Sequence, residues 1–306
     1  MSTEVQAEAG EHAAPAPRRH RTSRRTREAL VGYLFLVPSL VIFGAFFFYP
    51  FGRLIWLGLH QQNRTGTATR WVGIEQYGEV LGGEEFSQGL WHSVQYLIYT
   101  VPLGLVLGLL LAVAAHRRLK GIKIFQTIFA STVASSVAVA SVIFFVLINP
   151  QVGKFGRVSW LDLENPDSAL FAVSLSSVWQ NLGLTFIIVL AGLQAIPDEI
   201  IEASILDGFG PVRRFFRVTV PLIAPTLLFL VVVLSIFALQ AFAQIDILTQ
   251  GGPAGSTETL VFKIFNLQQP AKQPIGSILA VGLFGVTMIV SLGQFMILER
   301  RVHYGN

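Results

Sequence analysis

Six apolar runs dominate this chain, each long enough to cross a hydrocarbon core of about 30 Å as a helix. They lie at roughly Ala29–Tyr49, Val94–Ala115, Ile124–Ile148, Ala169–Ile196, Val220–Phe242 and Ile278–Leu298, and none contains Lys, Arg, Asp, Glu or His. A helix satisfies its backbone groups internally, which is what a segment without water around it requires. The pattern therefore predicts an all-α, polytopic integral membrane protein with six transmembrane helices over residues 29–303. Composition excludes the alternative of a soluble domain: 52% of the 306 residues are hydrophobic and only 13% are charged.

Basic residues are spread unevenly between the runs, and that asymmetry sets an expected orientation. Most of the 22 Lys and Arg fall in four segments. These are the stretch before the first run (Arg18, Arg19, Arg21, Arg24, Arg25, Arg27), the second-to-third connector (Arg117, Arg118, Lys120, Lys123), the fourth-to-fifth connector (Arg213, Arg214, Arg217) and the chain end (Arg300, Arg301). Both termini are thus expected in the cytoplasm, and the connectors carrying Glu75, Asp162 and Glu258 outside. The net charge of +4 follows from this arrangement and gives no argument for nucleic acid. Residues 1–28, rich in Ala, Glu, Pro and Arg and without apolar periodicity, read as a disordered basic cytoplasmic tail. Its arginines serve orientation, with contact to anionic membrane lipid as a second role. Ser23-Arg24-Arg25 before an apolar run matches only the start of an export signal. The run is long, lacks a small-residue cleavage site and is followed by five more, which predicts a retained first helix. With no cysteine, the chain forms neither disulfides nor thiolate metal sites.

Between the fourth and fifth runs lies a polar segment over residues 197–221. Pro197 suits a first helical position, Asp198 and Glu199 favour the positive helix end, and Gly208 and Gly210 terminate the helix. Pro211 opens a second helix whose stripe of Val212, Phe215, Phe216 and Thr219 excludes Arg213, Arg214 and Arg217, as in an interfacial helix. The order Glu202-Ala203-Ser204, Gly208, Val220-Pro221 resembles the signature loop of the inner-membrane permease subunits of binding-protein-dependent ABC importers, with Ser204 replacing the second alanine. That resemblance implies a type I ABC importer permease fold in the bacterial cytoplasmic (inner) membrane. It also implies a coupling loop over 197–220 in which Glu202, Ala203, Ser204, Asp207 and Gly208 dock into an ATPase subunit. The implied partners are two such ATPases, which bind the ATP and Mg so that this chain needs no cofactor, a second homologous permease, and an extracytoplasmic solute-binding protein.

The chain's own chemistry points the same way. It has no Gly-x-x-x-x-Gly-Lys-[Ser/Thr] phosphate loop, so a non-catalytic subunit powered by a partner is expected. The runs lack the intramembrane acid, His or Lys of ion-coupled carriers and membrane enzymes, and the histidines lie outside them without metal-ligand spacing. A secondary carrier or channel without an ATPase is the alternative of another class.

Inside the runs the polarity is neutral. At 100° per residue, Ser174, Ser177, Gln180, Asn181 and Thr185 share one arc of the fourth helix, with Trp179 opposite. Such a strip serves either a hydroxyl-rich solute or interhelical hydrogen bonding. Gln240 and Gln244, one turn apart at the outer end of the fifth helix, would line the same pathway if that face points inward. The third run, with Ala130, Ser131, Thr132, Ala134, Ser135, Ser136, Ala138 and Ala140, predicts a close helix contact. Pro38 is expected to kink the first helix.

Gly251-Gly252-Pro253 followed by Thr257-Glu258-Thr259-Leu260, and Trp71-Val72-Gly73-Ile74-Glu75-Gln76-Tyr77, are similar to outer loops of the carbohydrate-importing branch. Within it, Ser177-Val178-Trp179, Leu193-Gln194-Ala195-Ile196-Pro197, Gly210-Pro211-Val212-Arg213-Arg214-Phe215-Phe216 and Val302-His303-Tyr304 resemble the permease A type of glycerol-3-phosphate importers. The implied solute is glycerol 3-phosphate, a glycerophosphodiester or a sugar. A disaccharide or oligosaccharide permease is the alternative within the class.

Overall fold

The computed structural model describes residues 21–66, 69–116 and 120–299. The expected tail up to residue 20, Arg117 and Arg118, and the chain end from Arg300 lie outside those residues. Contacts divide the chain into two units, Met1–Arg53 and Leu54–Asn306. In the first unit α1 (Arg21–Phe43) begins ahead of the apolar run, since no Gly or Pro interrupts Arg21–Glu28. It passes Pro38 as one helix, and the irregular turn comes later, as a π-helical turn at Gly44–Phe48, before α2 (Tyr49–Gly58).

The second unit is nearly all helix. After α2 comes a short antiparallel hairpin, β1 (His60–Gln62) with β2 (Thr69–Trp71), in the register His60 to Trp71. α3 (Glu75–Leu81) follows, anchored by the Tyr77 hydroxyl donating to the Ile55 carbonyl at 3.1 Å. Two long helices, α4 (Glu84–Ala115) and α7 (Pro166–Gln194), form the central pair. They approach closely at Gly108 of α4, which is buried one turn before the equally buried Ala112. A Cβ at Gly108 would collide with the Thr185 side chain. α14 (Gln273–Glu299) is the last long helix.

Two of the expected spans are bent pairs. The third is α5 (Ile122–Ala130), a 3₁₀ turn at Ser131–Ala134, then α6 (Val137–Ile148), turning by 104°. The break has a local cause: Ser131 and Thr132 hydroxyls donate to the Ile128 and Phe129 carbonyls, Ser135 is extended, and Ser136 caps α6 by accepting from the Val139 amide. The small residues still make the expected close contact, at the bend itself, where a Cβ on Gly183 of α7 would strike Thr132.

The fifth span also begins differently. α9 (Pro211–Arg214), a π-helical turn at Phe215–Thr219 and α10 (Val220–Leu222) form one run, which meets α11 (Ala224–Leu239) at 68°. Pro225 removes the amide that would continue the ladder through Ile223. Among the described residues four helical segments are long and apolar enough to cross a membrane, and the count reaches six if each bent pair crosses once.

The core falls into two clusters at opposite ends of the α4–α7 pair. One gathers Tyr96, Val173, Leu234, Ile245 and Phe262. The other gathers Ala112, Phe186, Val189, Leu193, Ile223 and Leu230. Around the first, the Gly-Gly-Pro loop is fastened between α12 (Ala243–Leu248) and α13 (Leu260–Asn266). Thr257 donates to the Gly252 carbonyl, Thr249 and Thr257 share a hydrogen bond at 2.7 Å, and the Ser93 hydroxyl of α4 accepts from the Leu260 amide. Lys263 pairs with Glu258 at 3.5 Å.

Candidate functional site

A cavity of about 410 Å³ lies where α7 passes the end of α11. Ser177, Gln180 and Asn181 line it from α7, and Gln240 and Gln244 from the other side, with Val137, Phe237 and Phe242 as apolar wall. Gln240 and Gln244 do not share a helix as expected. Gln240 caps α11, the backbone breaks at Phe242, and a separate helix, α12, carries Gln244. The freed Ala241 carbonyl faces the Thr259 hydroxyl at 3.4 Å. Irregular backbone at this depth is sustainable where it lines a cavity.

The polar arc of α7 divides in two. Ser174 and Thr185 are fully buried and spend their hydroxyls on their own helix, at the Phe171 and Asn181 carbonyls. They belong to packing. Ser177 shares a 2.7 Å hydrogen bond with Tyr96 of α4, and the Asn181 amide donates to the Ser177 carbonyl at 3.0 Å, which orients both on the cavity wall. Among the described residues none hydrogen-bonds the side chains of Gln180, Gln240 or Gln244. Three amides, each able to donate and accept, thus front one space that holds no ionisable side chain. Trp179 packs beside Phe144 at 6.0 Å between ring centres, away from the amides. Tyr96 and Thr259 were not foreseen as supports of this site, because their partners, the Ser177 hydroxyl and the Ala241 carbonyl, are set by the fold.

The second candidate is the loop after α7. Helix α8 (Asp198–Leu206) starts one residue later than the Pro197 position suggested, with Pro197 itself as the extended N-cap. It ends in a Schellman motif: the Phe209 amide donates to the Ser204 carbonyl, the Gly208 amide to the Ile205 carbonyl, and Gly208 takes φ +75°. Arg213 stacks over the Phe209 ring at 4.4 Å and closes the turn from outside. Glu202, Ala203, Asp207 and Gly208 are exposed together. Ser204 is not with them: it is buried, its hydroxyl donating to the Ile201 carbonyl at 2.6 Å. Its small size serves the fit of α8, which is why serine can stand for alanine there. Two apolar side chains join the exposed acids instead, Ile205 at 54% and Leu206 at 88% exposure. An apolar pair in an otherwise polar loop was the available signal.

The second helix of this loop departs from the expected stripe. The π-helical turn rotates its register, so Arg214, Phe215 and Thr219 face a cavity while Val212 and Phe216 are exposed at 70% and 65%. Among the described residues no group of three His, Cys, Asp or Glu is placed to hold a metal ion.

Comparison with known proteins places this geometry. Residues 104–304 match the model of the binding-protein-dependent transport system inner membrane component family. The chain is 33% identical over 287 residues to the sn-glycerol-3-phosphate transport system permease protein UgpA of Yersinia pestis, covering 89% of this chain and 95% of that one. It is 31% identical over 293 residues to UgpA of Escherichia coli O157:H7, covering 91% and 97%. Among solved structures, a bacterial ABC transporter for import of the acidic polysaccharide alginate superposes with a TM-score of 0.76 at 20% identity, over 92% of this chain and 99% of that one. The same kind of transporter in complex with alginate pentasaccharide-bound periplasmic protein gives 0.77 at 19% identity, over 94% and 100%.

Proposed function

The chain belongs to the inner membrane components of binding-protein-dependent transport systems, and from that premise we propose that its 410 Å³ cavity passes a small hydroxyl-rich solute, with sn-glycerol 3-phosphate or a glycerophosphodiester first. The observation that carries this reading is the ring of unengaged amides at Gln180, Gln240 and Gln244 beside Ser177 and Asn181. Amides and hydroxyls recognise polyol groups through paired donors and acceptors, and a solute lacking them would leave the wall unsatisfied. The resemblance to UgpA selects the phosphorylated members of the class. Because no cation lines this cavity, the phosphate needs its counter-charge from a second permease, and a neutral disaccharide or oligosaccharide is the second reading that this same observation favours. Thermal stabilisation of the cognate binding protein across glycerol phosphate, glycerophosphodiesters and sugars separates the two. Stabilisation by sugars alone would displace the phosphate reading.

In this proposal the exposed Glu202, Ala203, Asp207 and Gly208, joined by Ile205 and Leu206, dock an ATPase subunit, one of two that supply ATP and Mg. Acids flanking an apolar knob combine register with buried area at such a contact. The uneven spread of basic residues supports a cytoplasmic position for this loop and both termini. Single cysteines introduced into the cysteine-free chain at Glu75, Asp162 and Glu258 are expected to react with impermeant reagent on intact cells. Those at Arg118, Asp207 and His303 are expected to react only after permeabilisation. Labelling at Asp207 from outside would overturn both the orientation and the docking role.

A further inference from the structure

One hydrogen bond ties the amide-lined cavity to the packed interior, and burial fixes its direction. Tyr96 of α4 is fully buried in the apolar cluster that also holds Val173, Leu234 and Ile245. Among the described residues its hydroxyl has one hydrogen-bond partner, the Ser177 hydroxyl of α7 at 2.7 Å. If Ser177 were the donor, the Tyr96 proton would be buried without an acceptor, which costs more than a single bond returns. Tyr96 therefore donates and Ser177 accepts. The greater acidity of a phenol favours the same direction.

The proton of Ser177 is then left over. A helical serine commonly spends it on the carbonyl a turn back, but at Val173 that carbonyl takes the Ser176 hydroxyl at 2.7 Å. Ser177 borders the cavity, so its O–H is turned to whatever fills that space. Asn181, one turn on, is fixed the opposite way. Only its Nδ2 can bond the Ser177 carbonyl, at 3.0 Å, which leaves Oδ1 for the cavity that Asn181 also lines. The α7 wall thus offers a donor at Ser177 and an acceptor at Asn181.

We propose that Tyr96 is a positioning residue for solute selection: by holding Ser177 as a donor beside the Asn181 acceptor, it makes this wall read hydroxyl groups and turn away ammonium groups. A hydroxyl accepts and donates at once and satisfies both positions. An ammonium only donates and meets the Ser177 proton head on. An ionised phosphate, which only accepts, suits Ser177 but not Asn181, so a glycerol phosphate presents its hydroxyl end to α7. Tyr96 acts from behind the wall and touches no solute. This role rests on the reading of the cavity as a solute path.

The assembled complex tests it in two ways. In thermal melting without solute, Ser177→Ala is expected to lower the melting temperature by several degrees, because the buried Tyr96 O–H loses its acceptor. Adding Tyr96→Phe should restore it, and Tyr96→Phe alone should leave it unchanged. A stabilising Tyr96→Phe would mean that the tyrosine proton had no acceptor in the wild type, and would overturn the direction. A Ser177→Ala variant that melts like the wild type would overturn it too.

In proteoliposomes with the binding protein, uptake of sn-glycerol 3-phosphate is compared with uptake of two analogues, in which the hydroxyl on its first or its second carbon is replaced by an amine. Tyr96→Phe frees Ser177 to turn and accept from the ammonium. The preference for hydroxyl over amine is therefore expected to fall about tenfold at the carbon that faces α7, as for one hydrogen bond to a charged group. The binding protein is common to all variants, so its own preference cancels between them. With Ser177→Ala in place, Tyr96→Phe should change the preference no further. An unchanged preference at both carbons, or a change that persists without the serine, would overturn the role of Tyr96. Absence of sn-glycerol 3-phosphate uptake by the wild type would count against the phosphate reading instead, and the melting cycle, which contains no solute, separates that failure from this one.

Discussion

Replacing Gly208 with proline is expected to bring uptake by the assembled importer down to background while the protein still reaches the membrane in wild-type amount. The reason lies in one torsion angle. Gly208 closes the Schellman motif at φ +75°, whereas proline is held near −65°, so the turn that presents Glu202, Ile205, Leu206 and Asp207 as one surface cannot form. No atom lies within 4 Å of a Cβ built at this position. Gly208→Ala therefore meets no clash, and its cost is conformational alone, roughly 1–2 kcal/mol for an L residue in the left-handed region. Uptake should be graded accordingly, with glycine above alanine and alanine above proline. Glu202→Ala, which keeps the turn, is expected to lower uptake about tenfold or more if its carboxylate is paired across the docking contact. Full uptake by Gly208→Pro, measured with radiolabelled solute at matched membrane levels, would remove the loop from the coupling path.

The second large effect is expected at Asn181. Asn181→Leu should lower uptake about tenfold or more, since a wall that hydrogen-bonds its solute loses most when the matching group is gone. The melting temperature of the purified complex should stay within error, because Asn181 borders the cavity and, among the described residues, its side chain makes a single hydrogen bond, to the Ser177 carbonyl of its own helix. Thr185→Val provides the contrast. Thr185 lies under Gly108 at the closest approach of α4 and α7 and its hydroxyl never reaches the cavity. Any loss there should follow stability, not solute identity. If Asn181→Leu loses stability and uptake in proportion, Asn181 is a packing residue and leaves the pathway.

These two sites also mark how far the sequence could be read. The span positions and the loop helices were accessible because hydropathy, cap residues and a 100° helical step are local quantities. The same arithmetic put Ser174, Ser177, Gln180, Asn181 and Thr185 on one arc but could not divide it. That division is made by α4, whose Gly108 meets Thr185, while Gln180 borders the cavity. The breaks at Ser135 and at Phe242 escaped notice for a related reason. No Gly or Pro stands at either, and averaged hydropathy runs smoothly through them. Hydroxyls from Ser131, Thr132, Ser136 and Thr259 decide the path there, and their partners become known only once the chain has folded. Ser204 was grouped with its exposed neighbours by motif alone, whereas the helical turn places it inward.

The bend in the third span bears on how the protein is made. Its two arms, α5 with 9 residues and α6 with 12, are each well short of the about 20 residues needed to bridge a bilayer as a free helix. Neither arm can settle in lipid as an independent segment without leaving peptide groups at the elbow unsatisfied. Shelter for the elbow comes from Gly183, on a helix that is synthesised afterwards. During biogenesis the third segment must therefore wait, held by the insertion machinery or as a straight helix, until the fourth arrives, and only their joint release lets the elbow close. Membrane entry here would proceed by pairs of segments, with the glycine of the later one acting as the latch for the earlier.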